Sequence, residues 1–415
     1  MENKRSFGNV YGMVIGFFSI IMLLAPKLIA LGFIALIVVI IYGVAKRKMF
    51  FKLNIISILF ISLYLLYFIY SGFTRHPDLA NRYIENKLSF LIIPILLLFI
   101  PKEKINYYWG IIGFLAAVAV LLIESYATAS FCFVQGGGRA CFLASQFSYQ
   151  HHPTYTSAFF VLAMSLLVFG WKHRLKGFQL YWIIPALLLL LISSLLCLSL
   201  AGILFLFSLV AVLFLVLIYQ KWGKLIALSA AIITPFLLYF TIISIPQVEG
   251  EWTGAKWYAD QFLKNPEGFV QQRKYPMSGT EVRLVMWTVS TKVLNKFPLG
   301  VGTGNVDEVL TYHLNEMDQR ELAKQELNPH NQYLQTGIEI GWVGVVILIS
   351  IILFAIVKAF KTRNWILLIM TSNLSFNMLF ESMLQRQSGI VFYSIVVCFL
   401  FGLNSIINQK LNEKN

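Results

Sequence analysis

The chain has 415 residues, of which 58% are hydrophobic and 13% charged, against roughly 45–50% and about 25% in a soluble domain. That balance excludes an ordinary soluble globular protein and points to lipid as the solvent. A net charge of +14 does not point to nucleic acid, because the basic residues stand in short clusters between apolar runs, as at Lys46-Arg47-Lys48 and Lys358 to Arg363.

A spanning helix needs about 20 mostly apolar residues. Candidate spans, in chain order, are Val10–Ala25, Leu28–Ala45, Leu53–Gly72, Leu88–Ile100, Tyr107–Tyr126, Thr154–Trp171, Leu180–Leu198, Ala201–Tyr219, Leu225–Ile245, Gln332–Val357, Trp365–Phe380 and Ser388–Ile407. The fourth is short and is expected to extend back into Arg82–Lys87. The first run lacks a small-residue cleavage site and is followed at once by another, so no cleavable signal peptide is expected. The expected fold is an all-α polytopic membrane protein of about 12 transmembrane helices, with a helical extracytoplasmic loop domain between helices 9 and 10. The organisation read from the chain is residues 1–245 (helices 1–9), 246–331 (the loop domain) and 332–415 (helices 10–12 and a tail), all one membrane domain. Short loops rich in Lys and Arg face the cytoplasm. Alternating the spans by that rule puts both termini in the cytoplasm and Pro246–Asn331 outside.

Cys197 and Cys398 fall within expected spans and read as packing residues. Cys132 and Cys141 flank a glycine-rich stretch in an outer loop, where an oxidising compartment permits a disulfide; spacing alone does not decide it.

Within the long loop, Val282, Val285, Met286, Val289 and Val293 recur at helical spacing, so Glu281–Lys296 is expected to be an amphipathic helix with Thr280 as its cap. Trp252, Ala255, Ala259 and Phe262 point to a second helix on the membrane surface. Asn328-Pro329 has the form of a helix cap and first residue, which would put His330 in the first turn of the tenth span. The positive end of a helix disfavours imidazolium, so a neutral His330 there suits a general base. A His that only hydrogen-bonds at the interface fits the same position. Arg283 shares a face with Trp287 and Ser290, and its planar fork suits phosphate oxygens; an exposed Arg on a surface helix reads the same way. Gly300-Val301-Gly302-Thr303-Gly304-Asn305 follows a helix rather than a strand, so it is taken as a tight turn allowing close backbone approach, not a nucleotide loop. Arg82, His152, Glu381, Gln385 and Arg386 mark the outer ends of the spans. Glu339 lies deeper in the tenth span, where it needs a partner or a watery cavity.

Taken together, these residues resemble the O-antigen ligase and O-antigen polymerase superfamily. The resemblance is carried by a dozen spans with the large loop before the third-last helix. It is carried also by Arg283-Leu284-Val285-Met286-Trp287, then Phe297 to Asn305, Pro329-His330-Asn331-Gln332-Tyr333-Leu334 and Glu339-Ile340-Gly341, and by the polar link between the last two helices. It implies a metal-independent, inverting glycosyltransferase with no cofactor, working at the periplasmic face of the inner membrane. The implied donor is an undecaprenyl-diphosphate-linked glycan and the implied acceptor lipid A–core or a related glycan, with no nucleic-acid partner. By that resemblance His330 takes the proton of the acceptor hydroxyl or positions that hydroxyl, and Arg283 holds the diphosphate. Of the outer-side cations Arg386, Arg82 and Arg139, Arg386 first and Arg82 second are expected to join Arg283, and Asn331, Tyr333, Glu339, Glu381, Gln385 and His152 are expected to support the site. Many ligases carry an arginine where this chain has Ser199-Leu200-Ala201-Gly202. A polymerase of the same superfamily is the alternative expectation, and a transporter or flippase a more distant one.

Overall fold

The computed structural model describes residues 6–226, 228–231, 233 and 246–412. The expected ninth span, Leu225–Ile245, lies mostly outside the described residues. The elements run α1 (Phe7–Leu24), α2 (Ile29–Ala45), β1 (Met49–Phe51), α3 (Ile55–Ser71), α4 (Pro77–Lys87), α5 (Ser89–Leu97), β2 (Phe99–Pro101) and α6 (Tyr107–Cys132). Next come α7 (Ala144–Phe147), α8 (Pro153–Lys172), α9 (Leu180–Leu196), α10 (Leu200–Trp222), α11 (Pro246–Lys264), α12 (Pro266–Gln272) and α13 (Gly279–Lys296). The chain closes with α14 (Val306–Glu316), α15 (Arg320–Ala323), α16 (Gln332–Thr362), α17 (Trp365–Asn377) and α18 (Gln387–Asn412).

Among the described residues, six helices are long and apolar enough to cross a bilayer, namely Phe7–Leu24, Pro26–Ala45, Tyr107–Gly137, Pro153–Lys172, Ala201–Trp222 and Gln332–Thr362. Ile55–Ser71, Leu180–Leu196 and Gln387–Gly402 are shorter apolar helices. This is an all-α polytopic membrane protein with one small antiparallel ribbon, in which Met49 pairs with Pro101 and Phe51 with Phe99. The expected fourth span, Leu88–Ile100, is corrected by that ribbon: its helix ends at Leu97, just past the internal Pro94, and Phe99–Pro101 is strand. At the other end Leu88 keeps helical dihedrals (φ −55°, ψ −26°), so α4 leads straight into α5 and the helix does extend back through Arg82–Lys87. The α1–α6 crossing is tight because Gly8, Gly12 and Gly16 repeat every fourth residue; a Cβ on Gly12 would sit 2.2 Å from the Asn106 carbonyl oxygen. Small residues at this spacing let two helix backbones approach within the membrane. Cys132 and Cys141 are joined by a disulfide, and Cys197 and Cys398 are free and buried.

Helices α12 to α15 form a second hydrophobic core, built on Phe269, Val270, Val285, Met286, Val289, Val293, Leu310 and Leu314, with Ile338 of α16 inserted into it. Burial of Val285, Met286, Val289 and Val293 bears out the amphipathic reading of α13. Its cap is corrected: Ser278, not Thr280, accepts from the Glu281 N–H while the Glu281 side chain returns to the Ser278 N–H. Such a reciprocal box satisfies two otherwise orphaned donors, which is why the helix opens two residues earlier than expected. Arg273 is held under this core by the rings of Trp257 (4.9 Å) and Phe269 (4.7 Å) and by Glu281 at 3.4 Å.

The long helix α16 is broken. Ile340 (φ −133°) and Gly341 (φ 71°, ψ −175°) leave the helical region, which frees backbone groups inside the protein. The glycine turn after α13 takes them up. Val301 N–H donates to the Ile338 carbonyl (2.7 Å), Gly302 N–H to the Glu339 carbonyl (3.1 Å), and Trp342 N–H to the Pro298 carbonyl (3.1 Å). Irregular backbone at membrane depth is tolerated only where protein satisfies it in this way. The turn's close approach, expected from its glycines, is therefore to the broken helix. Its far end grips α3 and the link that leads to α4: Thr303 Oγ1 donates to the Tyr67 carbonyl (3.1 Å), while Asn305 Oδ1 accepts from Thr74 Oγ1 (2.9 Å) and Arg75 N–H (2.8 Å).

Gly341→Ala tests the break. A Cβ there would lie 2.5 Å from the Leu299 carbonyl carbon at φ +71°, and left-handed strain alone costs about 1–3 kcal/mol. The expected outcome is a clear drop in the Tm of the detergent-solubilised protein, with Gly402→Ala, which meets nothing within 4 Å, as the unaffected control.

Candidate functional site

The polar side chains gather where α8, α13 and α16 begin and where α17 hands over to α18. His330 does not lie in the first turn of α16, which corrects the expected cap. Asn331 is the N-cap, accepting from Tyr333 N–H (2.9 Å) and Leu334 N–H (3.1 Å). Asn328 instead accepts from the His330 N–H (2.9 Å), and His330 takes a left-handed backbone (φ 48°). Both asparagines have capping chemistry; the left-handed residue between them stops the helix from starting at the first. His330 is thereby lifted out of the helix, and its ring reaches Glu381 in the link after α17, with Nδ1 3.4 Å from Oε2.

Glu381 is shared. The same oxygen lies 3.9 Å from Nε2 of His152, the residue that precedes α8. Arg283, on the first turns of α13, donates from Nε to the carbonyl of Phe380 (3.3 Å) and from Nη1 to the carbonyl of Gly279 (3.3 Å). Arg386 is exposed, and its charge together with those of Glu381, His330 and Arg283 acts on His152. Two guanidiniums, two imidazoles and one carboxylate therefore converge, and neither guanidinium is paired with a carboxylate among the described residues. The balance favours an anion.

Burial would push the Glu381 carboxyl up, but the His330 hydrogen bond and the charges of His152, His330 and Arg283 outweigh it and hold it below the usual carboxylate range. Burial lowers the affinity of His152 for a proton, only partly opposed by Glu381. A carboxylate has no proton to give, so Nδ1 is the donor in the His330–Glu381 contact, and in the neutral form of the imidazole the lone pair is then on Nε2.

A cavity of about 340 Å³ opens beside this cluster, walled by His152 and Thr154, by Leu198, Ser199 and Ala201, and by Ala259, Thr280, Arg283, Trp287 and Phe380. Ser199 caps α10 through the Gly202 N–H and its hydroxyl contacts Thr154 (3.3 Å). Trp287 Nε1 and His152 Nδ1 are buried without a hydrogen-bond partner among the described residues; such orphaned groups cost about 1–3 kcal/mol each.

Of the residues singled out in the sequence, His330, Arg283, Arg386, Glu381 and His152 come together. Arg82 is exposed on α4 and joins none of these contacts. Asn331 is occupied as a cap, and the Tyr333 hydroxyl donates to the Ser375 carbonyl (3.0 Å), tying α16 to α17. Glu339 and Gln385 sit behind the cluster. Glu339 is fully buried, and its partner is Lys87, equally buried, with Nζ 3.4 Å from Oε1. Sequence reasoning missed that pairing and the bare indole N–H of Trp287. The available signals were Glu339 itself, a charge within a span in need of a partner, and a lysine at the start of an apolar run.

The family model of O-antigen ligases (Wzy_C) matches residues 185–349, a stretch that takes in Arg283, His330 and Glu339 but stops before Glu381 and Arg386. No match is found among curated proteins.

A group whose folded pKa is depressed contributes stability above its unfolded pKa, and that contribution disappears as pH falls through the folded value. Glu381→Gln is expected to lower the Tm at pH 7. The gap to the wild type should close as the pH drops below the ordinary glutamate value of 4.5; a gap independent of pH would mean that Glu381 carries no such charge.

Proposed function

We propose that this chain, a member of the O-antigen ligase superfamily, transfers a glycan from an undecaprenyl-diphosphate carrier to lipid A–core at the periplasmic face of the inner membrane. The O-antigen ligase family match over residues 185–349 supports an enzyme of ligase/polymerase type in a membrane. The observation that carries it is the convergence of His330, Glu381, Arg283 and Arg386 around His152, with Arg283 and His152 also lining the cavity.

In this reading Arg283 and Arg386 bind the diphosphate oxygens. Glu381 accepts a hydrogen bond from the Nδ1–H of His330 and orients the ring, so that Nε2 takes the proton of the acceptor hydroxyl. That oxygen attacks the anomeric carbon, the bond from carbon to the phosphate oxygen breaks, and the polyprenyl diphosphate leaves with the electron pair. In-line attack inverts the anomeric centre. The two cations stabilise charge that grows on the leaving oxygens as the bond breaks, and the diphosphate is itself a good leaving group, so no nucleotide is required. The Cys132–Cys141 disulfide, a bond that persists in oxidising compartments, lies in the segment leading to His152 and supports an extracytoplasmic site. Residues 246–331 act as a cap over the bundle.

The test is reconstitution of purified protein with a defined undecaprenyl-diphosphate glycan and lipid A–core. His330→Ala should lower transfer about 100- to 10,000-fold, the range for loss of a general base, with expression and insertion intact. Arg283→Ala should raise the KM for the donor. Wild-type rates in His330→Ala would remove the base. Product in which lipid-linked repeats are joined while lipid A–core stays bare would replace ligation by polymerisation.

A further inference from the structure

Behind the cluster lies a polar group that the proposed chemistry does not use. Lys87 and Glu339 are both fully buried, 3.4 Å apart. Gln385 bridges them: its carbonyl oxygen accepts from Lys87 Nζ (3.2 Å) and its amide donates to the second oxygen of Glu339 (3.0 Å). The rings of Tyr67 (4.6 Å) and Tyr83 (5.2 Å) close over the ammonium. Gln385 sits in the link between α17 and α18, immediately before Arg386 and four residues after Glu381. The rest of that link is also held from behind. Leu384 N–H donates to Gln332 Oε1 (2.6 Å), and the Tyr155 hydroxyl donates to the Met383 carbonyl (3.2 Å).

We infer that the Lys87–Glu339–Gln385 triad is a positioning device that fixes the turn carrying Glu381 and Arg386, and through it the donor-binding cation and the carboxylate that orients His330. The physical reason lies in the alternatives open to Gln385. An exposed turn loses its conformation cheaply, since its groups exchange protein partners for water at little net cost. Gln385 cannot do so, because withdrawing its side chain leaves a buried ion pair short of two hydrogen bonds, and hydrogen bonds to charged groups are the most costly to lose. The pair itself is anchored on rigid elements, Lys87 at the α4–α5 junction and Glu339 one residue before the break in α16. The inference deepens the function proposed above and rests on it for the roles of Glu381 and Arg386, though not for the ordering of the turn.

The test uses the full chain in lipid nanodiscs. Gln385→Leu removes both bridging hydrogen bonds and leaves Lys87 and Glu339 paired. Amide hydrogen exchange across 381–390 should quicken about tenfold, the factor expected for loss of one to two hydrogen bonds, while exchange in α1 and α6 stays as in the wild type. With the undecaprenyl-diphosphate donor, KM should rise about tenfold and the pH profile of transfer should shift, because Glu381 no longer holds its place beside the imidazoles. A merely structural role would lower the Tm without moving KM or the pH profile. Unchanged exchange at 381–390, or quickened exchange with unchanged KM and pH profile, overturns the inference. Should Gln385→Leu not be recovered folded, Gln385→Asn, which keeps both polar atoms on a shorter arm, decides the same question. If the wild type itself turns over no such donor, the proposed function falls, and the exchange measurement alone decides whether the triad orders the turn.

Discussion

Two opposite charges removed entirely from solvent dictate much of how this end of the protein is assembled. Taking an ammonium and a carboxylate out of water costs several kcal/mol for each ion, and their attraction repays that only when the remaining donors and acceptors are satisfied. Lys87 and Glu339 meet the condition through the side chain of Gln385 and two aromatic faces. The three residues come from segments far apart in the chain, so the pair can be satisfied in one arrangement of those segments and not in its neighbours. Around it the polar groups continue inward: Gln332 Nε2 donates to Thr336 Oγ1 (3.0 Å), whose oxygen also meets the Tyr67 hydroxyl (3.1 Å). The start of α16, the end of α3 and the link between α17 and α18 are thus fastened to one another through side chains that water does not reach.

The same region explains why α16 is interrupted. A helix running unbroken through Gly341 would have no use for the backbone of Val301 and Gly302. The interruption gives two carbonyls to the glycine turn and so ties the helices of residues 266–323 to the bundle by main-chain hydrogen bonds as well as by the insertion of Ile338 into their core. The reacting groups of the proposed chemistry stand on the short segments between these anchored pieces. His330 and Glu381 are in links rather than in helices, which leaves their side chains free to point across the gap between elements.

Much of the bundle was legible because lipid imposes a coarse rule: about 20 apolar residues in a row are easy to count. The rule failed at Leu88–Ile100, where an apolar run is divided between a helix carrying Pro94 and a strand, since apolar content alone does not separate the two. His330 and Arg283 were visible from local chemistry and from the motifs around them. The start of α16 was misplaced because Asn328 and Asn331 carry the same capping signal, and the choice depends on the backbone of His330. What no local pattern encodes is partnership. Glu339 stood out as a charge needing a counterpart, but the counterpart is 252 residues away. The sharing of Glu381 by His152 and His330 likewise joins separate parts of the chain, and the unpartnered indole of Trp287 is defined only by what fails to surround it.

The grip of the glycine turn also restricts how the cavity beside Arg283 can be entered. Helices α13 and α14 are sewn to α16 on one flank and to α3 and the link that leads to α4 on another, through Val301, Gly302, Thr303 and Asn305. A lid hinged along those flanks would have to sever several main-chain bonds at once. Elsewhere the chamber is lined by Ala259 of α11 and by Leu198, Ser199 and Ala201, all small or apolar. The wall lined by Leu198, Ser199, Ala201 and Ala259 carries none of these ties among the described residues, so a change in the width of the chamber falls there and not on the flanks that the glycine turn fastens.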